Sequence, residues 1–382
     1  MSLFDAPSLR NVSAPIKSTS LQSGAYVLSI VSLPAHYAVS ASSPDNAIHL
    51  FDKSRLRSVR TIPGHQSAIT TLRSPQKFAG TSAPILISSG KDGVVKAWDG
   101  RSPAAGPMMT ASTAGRPCAL LSCDVSTNGM IIAAGTELQG DDASVVYWDP
   151  RYPAAPLRTH SSTHSDDITA VHFSRVNNST VLTISSDGLL CTSNADEPDE
   201  DEAGLHVGNW GCSVAQAGWV YGRSGSPGIW ASSDMETFSA WSGELDKVQD
   251  VDIRHPSIHR QDLTWVTDYL IGCHNISTIP LDMDNDLSMF VGSNEGDIAL
   301  LTRPTFSDPN APWILSHMWT TGHTEVVRSV LWDEENNILL TGGEDSRLNA
   351  WLSPSFVSGV TTDSAVKRSS DDAMDVDVKE PS

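Results

Sequence analysis

The sequence predicts an all-β chain assembled from one repeated unit. Three observations carry that reading. A short apolar strand, a polar turn and a second strand recur along the chain: residues 86–99 read LISSGKDGVVKAWD and residues 339–351 read LLTGGEDSRLNAW. An Asp in the turn stands six residues before an aromatic residue that closes the second strand, as Asp92 does before Trp98 and Asp345 before Trp351. A Gly-His pair precedes two of the copies, Gly64-His65 and Gly322-His323. The even Asp-to-aromatic offset matters because side chains alternate along a strand.

The other copies follow in order. Asp45 precedes Phe51, and Asp142 precedes Trp148, by the same six residues. Asp187 and Glu295 occupy the same turn, with the closing aromatic replaced by Ser193 and Leu301, and a weaker copy runs from Ile229 to Trp241 around Asp234. His164 stands where the Gly-His pair is expected, after Thr163. Together these residues resemble the WD40 repeat family. The resemblance implies a seven-bladed WD40 β-propeller of four-stranded antiparallel blades. Its seven copies fall near 26–52, 64–99, 117–149, 164–193, 213–241, 265–301 and 322–352. The resemblance further suggests that residues 17–22 close the ring as the outer strand of the last blade, which removes an open sheet edge. Residues 1–15 read as a disordered N-terminus, residues 16–353 as the propeller, and residues 354–382 as a disordered acidic tail. An acidic loop at 194–204 is expected between blades 4 and 5.

Charge narrows the function classes. The chain has 382 residues and a net charge of −20, with 25 Lys and Arg against 45 Asp and Glu. Phosphate backbones repel such a surface, so no direct nucleic-acid grip is expected. The N-terminal residues lack the order of a signal peptide, and no stretch approaches the roughly 20 apolar residues that span a bilayer. The expectation is an intracellular protein of nucleus, cytoplasm or both, not a secreted one. Cys118, Cys123, Cys191, Cys212 and Cys273 are odd in number and scattered, so reduced, mostly buried thiols are expected.

The recurring polar residues read as staples. In the resemblance, His65, Ser88, Asp92 and Trp98 form the hydrogen-bonded tetrad of one blade, and His323, Thr341, Asp345 and Trp351 form another. A Ser, a His and an Asp together also invite a catalytic triad, but recurrence in successive blades is explained by mutual polar satisfaction. Trp332-Asp333 sits at the end of a first strand rather than a third, so it is set aside as no tetrad pair. Asp282, Asp284 and Asp286 begin like a calcium loop, yet Leu287 and Ser293 stand where Gly and Glu are needed. His255 and His259 are four apart, but Pro256 opposes a helix between them. No phosphate-cradling Gly-rich motif occurs. The expectation is no enzyme, no cofactor and no metal.

Candidate docking residues fall in four places. Trp98-Asp99-Gly100-Arg101 and Trp148-Asp149-Pro150-Arg151 are consecutive WDxR runs. They resemble the box by which some WD40 proteins dock on the DDB1 adaptor of cullin-4 ubiquitin ligases. In that reading Asp99, Arg101, Asp149 and Arg151 form the partner-binding rim, through forked guanidinium bonds. Gly100 and Pro150 depart from the aliphatic residue preferred there, and the plain alternative is an Arg paired with a neighbouring carboxylate. Asp196, Glu197, Asp199, Glu200, Asp201 and Glu202 form an acidic run that reads either as a solvated insertion or as a lure for a basic partner, such as a histone or ribosomal protein. The tail carries Ser369 and Ser370 before acids, as candidate phosphorylation sites, after Lys367-Arg368. Trp210, Trp219, Trp230, Trp265, Trp313 and Trp319 fill no tetrad slot, and are expected mostly between blades with one or two at the central channel.

A narrower resemblance rests on GHTEVVRSVLWDEENNILLTGGEDSRLNAW at 322–351 and on DYLIGCH at 268–274, which are similar to the WD repeat-containing protein 89 group. It implies a seven-bladed propeller and no particular chemistry. The resulting expectation is a protein–protein interaction scaffold, a monomer within a larger complex. Its sharper form is a cullin-4 substrate receptor, and its alternative an acidic-loop scaffold or chaperone for a basic nuclear protein.

Overall fold

The computed structural model describes residues 3–99, 105–113, 116–222, 227–255, 257–259, 261, 263–275, 287–303, 308 and 310–354. Seven antiparallel meanders form a ring. Blades 1 to 6 occupy residues 27–62, 69–110, 120–164, 168–209, 214–252 and 269–319. Blade 7 takes three strands from residues 327–352 and its fourth from Lys17–Ser20. The fold is a seven-bladed β-propeller.

Each blade is too thin to bury its own apolar residues, so burial happens between blades. Ile87 and Val95 of blade 2 share a cluster with Leu120, Ile132 and Trp148 of blade 3. Across the closure, Val27 and Tyr37 of blade 1 pack with Leu340 and Leu348 of blade 7. Hydroxyls on the first strands add polar stitching between neighbours. Thr70 donates to the Leu120 carbonyl at 2.8 Å, Ser122 to Ile168 at 3.3 Å, Thr169 to Val214 at 2.6 Å and Ser329 to Val27 at 3.4 Å.

The ring closes as the repeat implies. Lys17–Ser20 runs antiparallel to the third strand of blade 7, with Lys17 opposite Ala350 and Ser20 opposite Arg347. Backbone bonds from Ile16 to Ala350 and from Leu21 to Ser346 extend the contact at both ends. The closure satisfies an edge that otherwise presents unpaired N–H and C=O groups.

Two expectations are corrected. Residues 1–15 are not a disordered N-terminus: Leu3–Val12 forms a fifth strand, parallel to Trp313–Trp319 on the rim of blade 6. Leu3 and Leu9 pack on the blade 5–6 core. Edge pairing is made by backbone groups and needs little from the sequence, so Pro7 and Asp5 concealed it. The acidic loop lies inside blade 4 rather than between blades 4 and 5. It joins the third strand, Leu189–Asn194, to the fourth, Gly204–Asn209, which pair in register from Leu189 opposite Asn209 to Thr192 opposite His206, with a shift before Ser193 meets Gly204. The fourth strand, GLHVGN, carries two glycines and little apolar alternation, which hid it.

Candidate protein-docking face

Strands alternate in direction, so the propeller has two unlike faces. Loops joining second to third strands, and one blade to the next, emerge on the first face. Loops leaving first and third strands emerge on the opposite face.

The first face is stitched by the tetrads. Trp98 donates its indole N–H to Ser88 Oγ at 2.9 Å, Ser88 pairs with His65 Nε2 at 2.7 Å, and His65 Nδ1 meets Asp92 Oδ1 at 2.8 Å. Indole is a donor only, so the Ser88 proton goes to Nε2 and leaves Nδ1–H for Asp92. Blade 7 repeats the chain: Trp351 to Thr341 at 3.0 Å, Thr341 to His323 at 2.8 Å, and His323 to Asp345 at 3.0 Å. Burial lowers the His65 pKa against the pull of Asp92, which keeps the ring neutral. Burial raises the Asp92 and Asp345 carboxyls, but the imidazole bonds and backbone N–H donors outweigh it and the net shift is downward. The connectivity is that of a hydrolase triad, yet Ser88 is fully buried with its oxygen already engaged by Trp98. Gly322 is required where it stands, because a Cβ there would meet the Trp351 ring at 2.3 Å.

The weaker copies keep parts of the staple. His164 bonds Thr183 at 2.9 Å and Asp187 at 3.2 Å, with Ser193 in the indole slot. In blade 5 Ser213 donates to Asp234 at 2.5 Å, and Trp241 turns to Ser239 at 2.7 Å. Blade 3 has the indole but no hydroxyl. Trp148 lies opposite Ile132 as Trp98 lies opposite Leu86, so Ala134 takes the slot of Ser88. Trp148 Nε1 finds no acceptor among the described residues.

The opposite face is held by charge. Lys53 Nζ donates to Asp333 at 3.0 Å and Ser32 at 2.7 Å, while Tyr37 and Asn336 donate to Asp333 at 3.0 and 2.8 Å. These bonds join blade 1 to blade 7. Asp333, set aside in the sequence, is therefore a closure staple. Its buried carboxyl is pushed up by desolvation, but the bonds from Lys53, Asn336 and Tyr37 bring it below its ordinary value. No repeat signal marks Lys53, because the pair spans 280 residues.

Both candidate docking features emerge on this face. Arg151 Nε reaches Asp149 Oδ1 at 2.9 Å and its Nη2 reaches Oδ2 at 2.6 Å, so the fork closes on the aspartate of its own WDxR run. The same two-residue clamp holds Arg254 to Asp252 at 3.0 and 2.8 Å, and pushes Asp252 down to about 2. The Arg151 side chain remains half exposed and lies 5.8 Å from the centre of the Tyr152 ring. Tyr152 and Leu157 of blade 3, and Val176 of blade 4, are exposed at 73%, 52% and 70%. Asp99 lies at the end of the third strand of blade 2, and Arg101 lies outside the described residues.

The acidic run is not a uniform solvated loop. Glu200 accepts from Ser161 and Ser162 N–H and from Thr163 Oγ1, each at 2.8 Å, which docks the loop on the fourth strand of blade 3. Glu200–Ala203 forms a single helical turn, with Asp199 accepting from Asp201 N at 3.1 Å. Asp196, Asp199, Asp201 and Glu202 are exposed, and Glu197 is half-buried. The loop and the Arg151 rim, which the sequence treats as separate surfaces, therefore sit side by side on blades 3 and 4.

The channel opens on this face as a cleft of about 960 Å³. Arg73, Asp124, His172, Arg175, Trp219, Tyr221 and His274 line it, a group that sequence reading missed apart from Trp219. The legible signal is an Arg at or just after the end of a first strand in a strongly acidic chain. Trp210, Trp219, Trp230, Trp265, Trp313 and Trp319 are buried, and Trp219 and Trp230 reach the cleft. Among the described residues no group of three or more His, Cys, Asp or Glu converges on a metal-sized site, and Asp282, Asp284 and Asp286 lie outside them. Cys118, Cys123 and Cys191 are buried and in no disulfide among the described residues, and burial raises Cys123 to about 11.

The family model for the WD domain, G-beta repeat, matches residues 56–99 and 309–351, which end on Asp99, just past Trp98, and on Trp351. The chain thus carries WD40 repeats at these two places within a seven-bladed propeller. It is 25% identical over 357 residues to a WD repeat-containing protein 89 homolog of Dictyostelium discoideum, covering 91% of this chain and 89% of that one. It is 26% identical to the WD repeat-containing protein GTS1 of Arabidopsis thaliana, over 86% and 81% of the two chains. An uncharacterized WD repeat-containing protein of Saccharomyces cerevisiae is 32% identical over 54% of this chain and 51% of its own. WD40 propellers are in general non-catalytic scaffolds that bind other proteins.

Proposed function

We propose that this propeller is a non-catalytic docking platform that engages partners through the face carrying the ends of its first and third strands. One observation carries the reading. That face combines an exposed cationic and apolar rim (Arg151, Tyr152, Leu157, Val176) with an anchored acidic loop on adjacent blades. The tetrad face instead uses its polar groups on itself. Arg and Tyr are the residues that interfaces concentrate in their energetic centres.

The sharper reading makes the chain a substrate receptor on the DDB1 adaptor of a cullin-4 ligase. Arg151, steadied by Asp149, presents its remaining N–H groups to the adaptor, and Arg101 serves the same role one blade earlier. Affinity purification of wild type and an Arg101→Ala/Arg151→Ala variant tests this. Recovery of adaptor with wild type and its loss in the variant is the expected result, and equal recovery from both defeats it.

A second reading is favoured by the four exposed acids at 196, 199, 201 and 202, held in place by Glu200. A fixed acidic knob attracts a basic histone or ribosomal-protein segment and is screened by salt. Replacing Asp196, Asp199, Asp201 and Glu202 with Asn and Gln should then abolish capture of a basic peptide at low salt. Unchanged capture rejects this reading alone.

A further inference from the structure

The cleft at the channel mouth carries a charge opposite to that of the molecule. Its charged lining residues are Arg73, Arg175 and Asp124, and the chain as a whole is −20. The two imidazoles beside them are neutral. Burial lowers the His172 pKa to about 3, with Arg73 and Arg175 pushing the same way, and burial lowers His274. Among the described residues that line it, the cleft thus holds two cations and at most one anion.

Both guanidiniums are positioned, yet neither forms an ion pair among the described residues. Arg73 Nη2 lies 3.4 Å from His172 Nδ1, which in the neutral ring accepts from it. Trp219 Nε1 donates to the His172 carbonyl at 3.1 Å and fixes that backbone. The Arg175 guanidinium lies 5.8 Å from the centre of the Tyr221 ring, and the backbone N–H of Arg175 donates to Tyr221 Oη at 2.7 Å. Asp124 spends one oxygen on the Phe173 N–H at 2.8 Å, and burial raises its carboxyl. Both guanidiniums feel the field of Asp124 but make no close ion pair with it, and such donors beside aromatic rings in a cleft of this size have the make-up of a recognition site.

We propose that this cleft binds an extended acidic segment of a partner protein, with separate carboxylates on Arg73 and Arg175. The two cations belong to blades 2 and 4, and Asp124 of blade 3 lies between them. One compact phosphate bridging both would sit against the Asp124 carboxyl. A chain with spaced carboxylates reaches each guanidinium and passes Asp124 with an uncharged residue. The occupant is a protein segment, as the platform reading requires, but the site uses neither Arg151 nor the 196–202 loop. Each can therefore fail without the other.

Fluorescence anisotropy on the full chain tests the site, with a fluorescein-labelled dodecapeptide of alternating Glu and Ser as probe. Saturable binding is expected, weakened at least about tenfold by Arg73→Gln with Arg175→Gln. Arg151→Ala should bind like wild type. Arg175→Gln alone, at an exposed position, repeats the test without touching the core. Absence of saturation, equal binding of the Gln-for-Glu peptide, or full retention by the double variant overturns the proposal. So does displacement of the peptide by inorganic phosphate at matched ionic strength, which assigns the cleft to a small anion.

Discussion

The two faces of the propeller are built from opposite kinds of polar chemistry. On one, Trp, Ser or Thr, His and Asp satisfy one another in line, and burial keeps the His65 ring neutral. On the other, blades are joined by charge, as Lys53 and Asp333 join blades 1 and 7, while Arg73 and Arg175 form no close ion pair among the described residues. A face that spends its donors internally stabilises the ring. A face that leaves positioned donors unspent can bind.

The comparison breaks most sharply at Asp333. Replacing it with Ala strands a mostly buried Lys53 and removes the Tyr37 and Asn336 contacts. A loss of about 3–5 kcal/mol is expected in urea unfolding. A smaller loss than His323→Ala would mean that the charged closure matters less than a tetrad. His323→Ala leaves Asp345 and Thr341 without their partner, and should cost about 2 kcal/mol by the same measurement.

Acid should act through the open face as well. The folded pKa of His172 is about 3, below its unfolded value near 6.5, so the unfolded chain takes up a proton first as pH falls. Stability contributed by neutral His172 is present above about pH 6.5 and lost as pH falls toward 3. His172→Asn should flatten part of the drop in urea midpoint between pH 7 and 5, and an unchanged slope would remove His172 from that account.

Smaller effects sharpen the contrast. Ala134→Ser places a hydroxyl in the slot that Ser88 fills, within reach of the orphaned Trp148 N–H. A gain of about 1 kcal/mol is expected, read as a higher melting temperature. Arg151→Ala should leave the melting temperature unchanged, because its clamp is solvent-exposed. Its effect should appear only in partner capture.

The tetrads were readable because they repeat: the same residue types return at the same offsets, and the fixed register of a blade turns sequence spacing into contact. Residues of low regularity were not readable. The N-terminal strand pairs through backbone groups, and Asp333 looked like a misplaced tetrad pair until Lys53 arrived beside it. The acidic run was legible as charge, but its anchoring through Glu200 depends on Ser161, Ser162 and Thr163 of another blade.

Sequence periodicity therefore determined the stronger repeats and the two complete staples, because each is a pattern repeated within one blade. The count of seven and the closure by residues 17–22 came from the WD40 resemblance. Tertiary structure alone decided that the Arg151 rim, the acidic loop and the cationic cleft share one face. That outcome follows from strand direction: every loop leaving a first or third strand exits the same side, however far apart the residues lie in the chain.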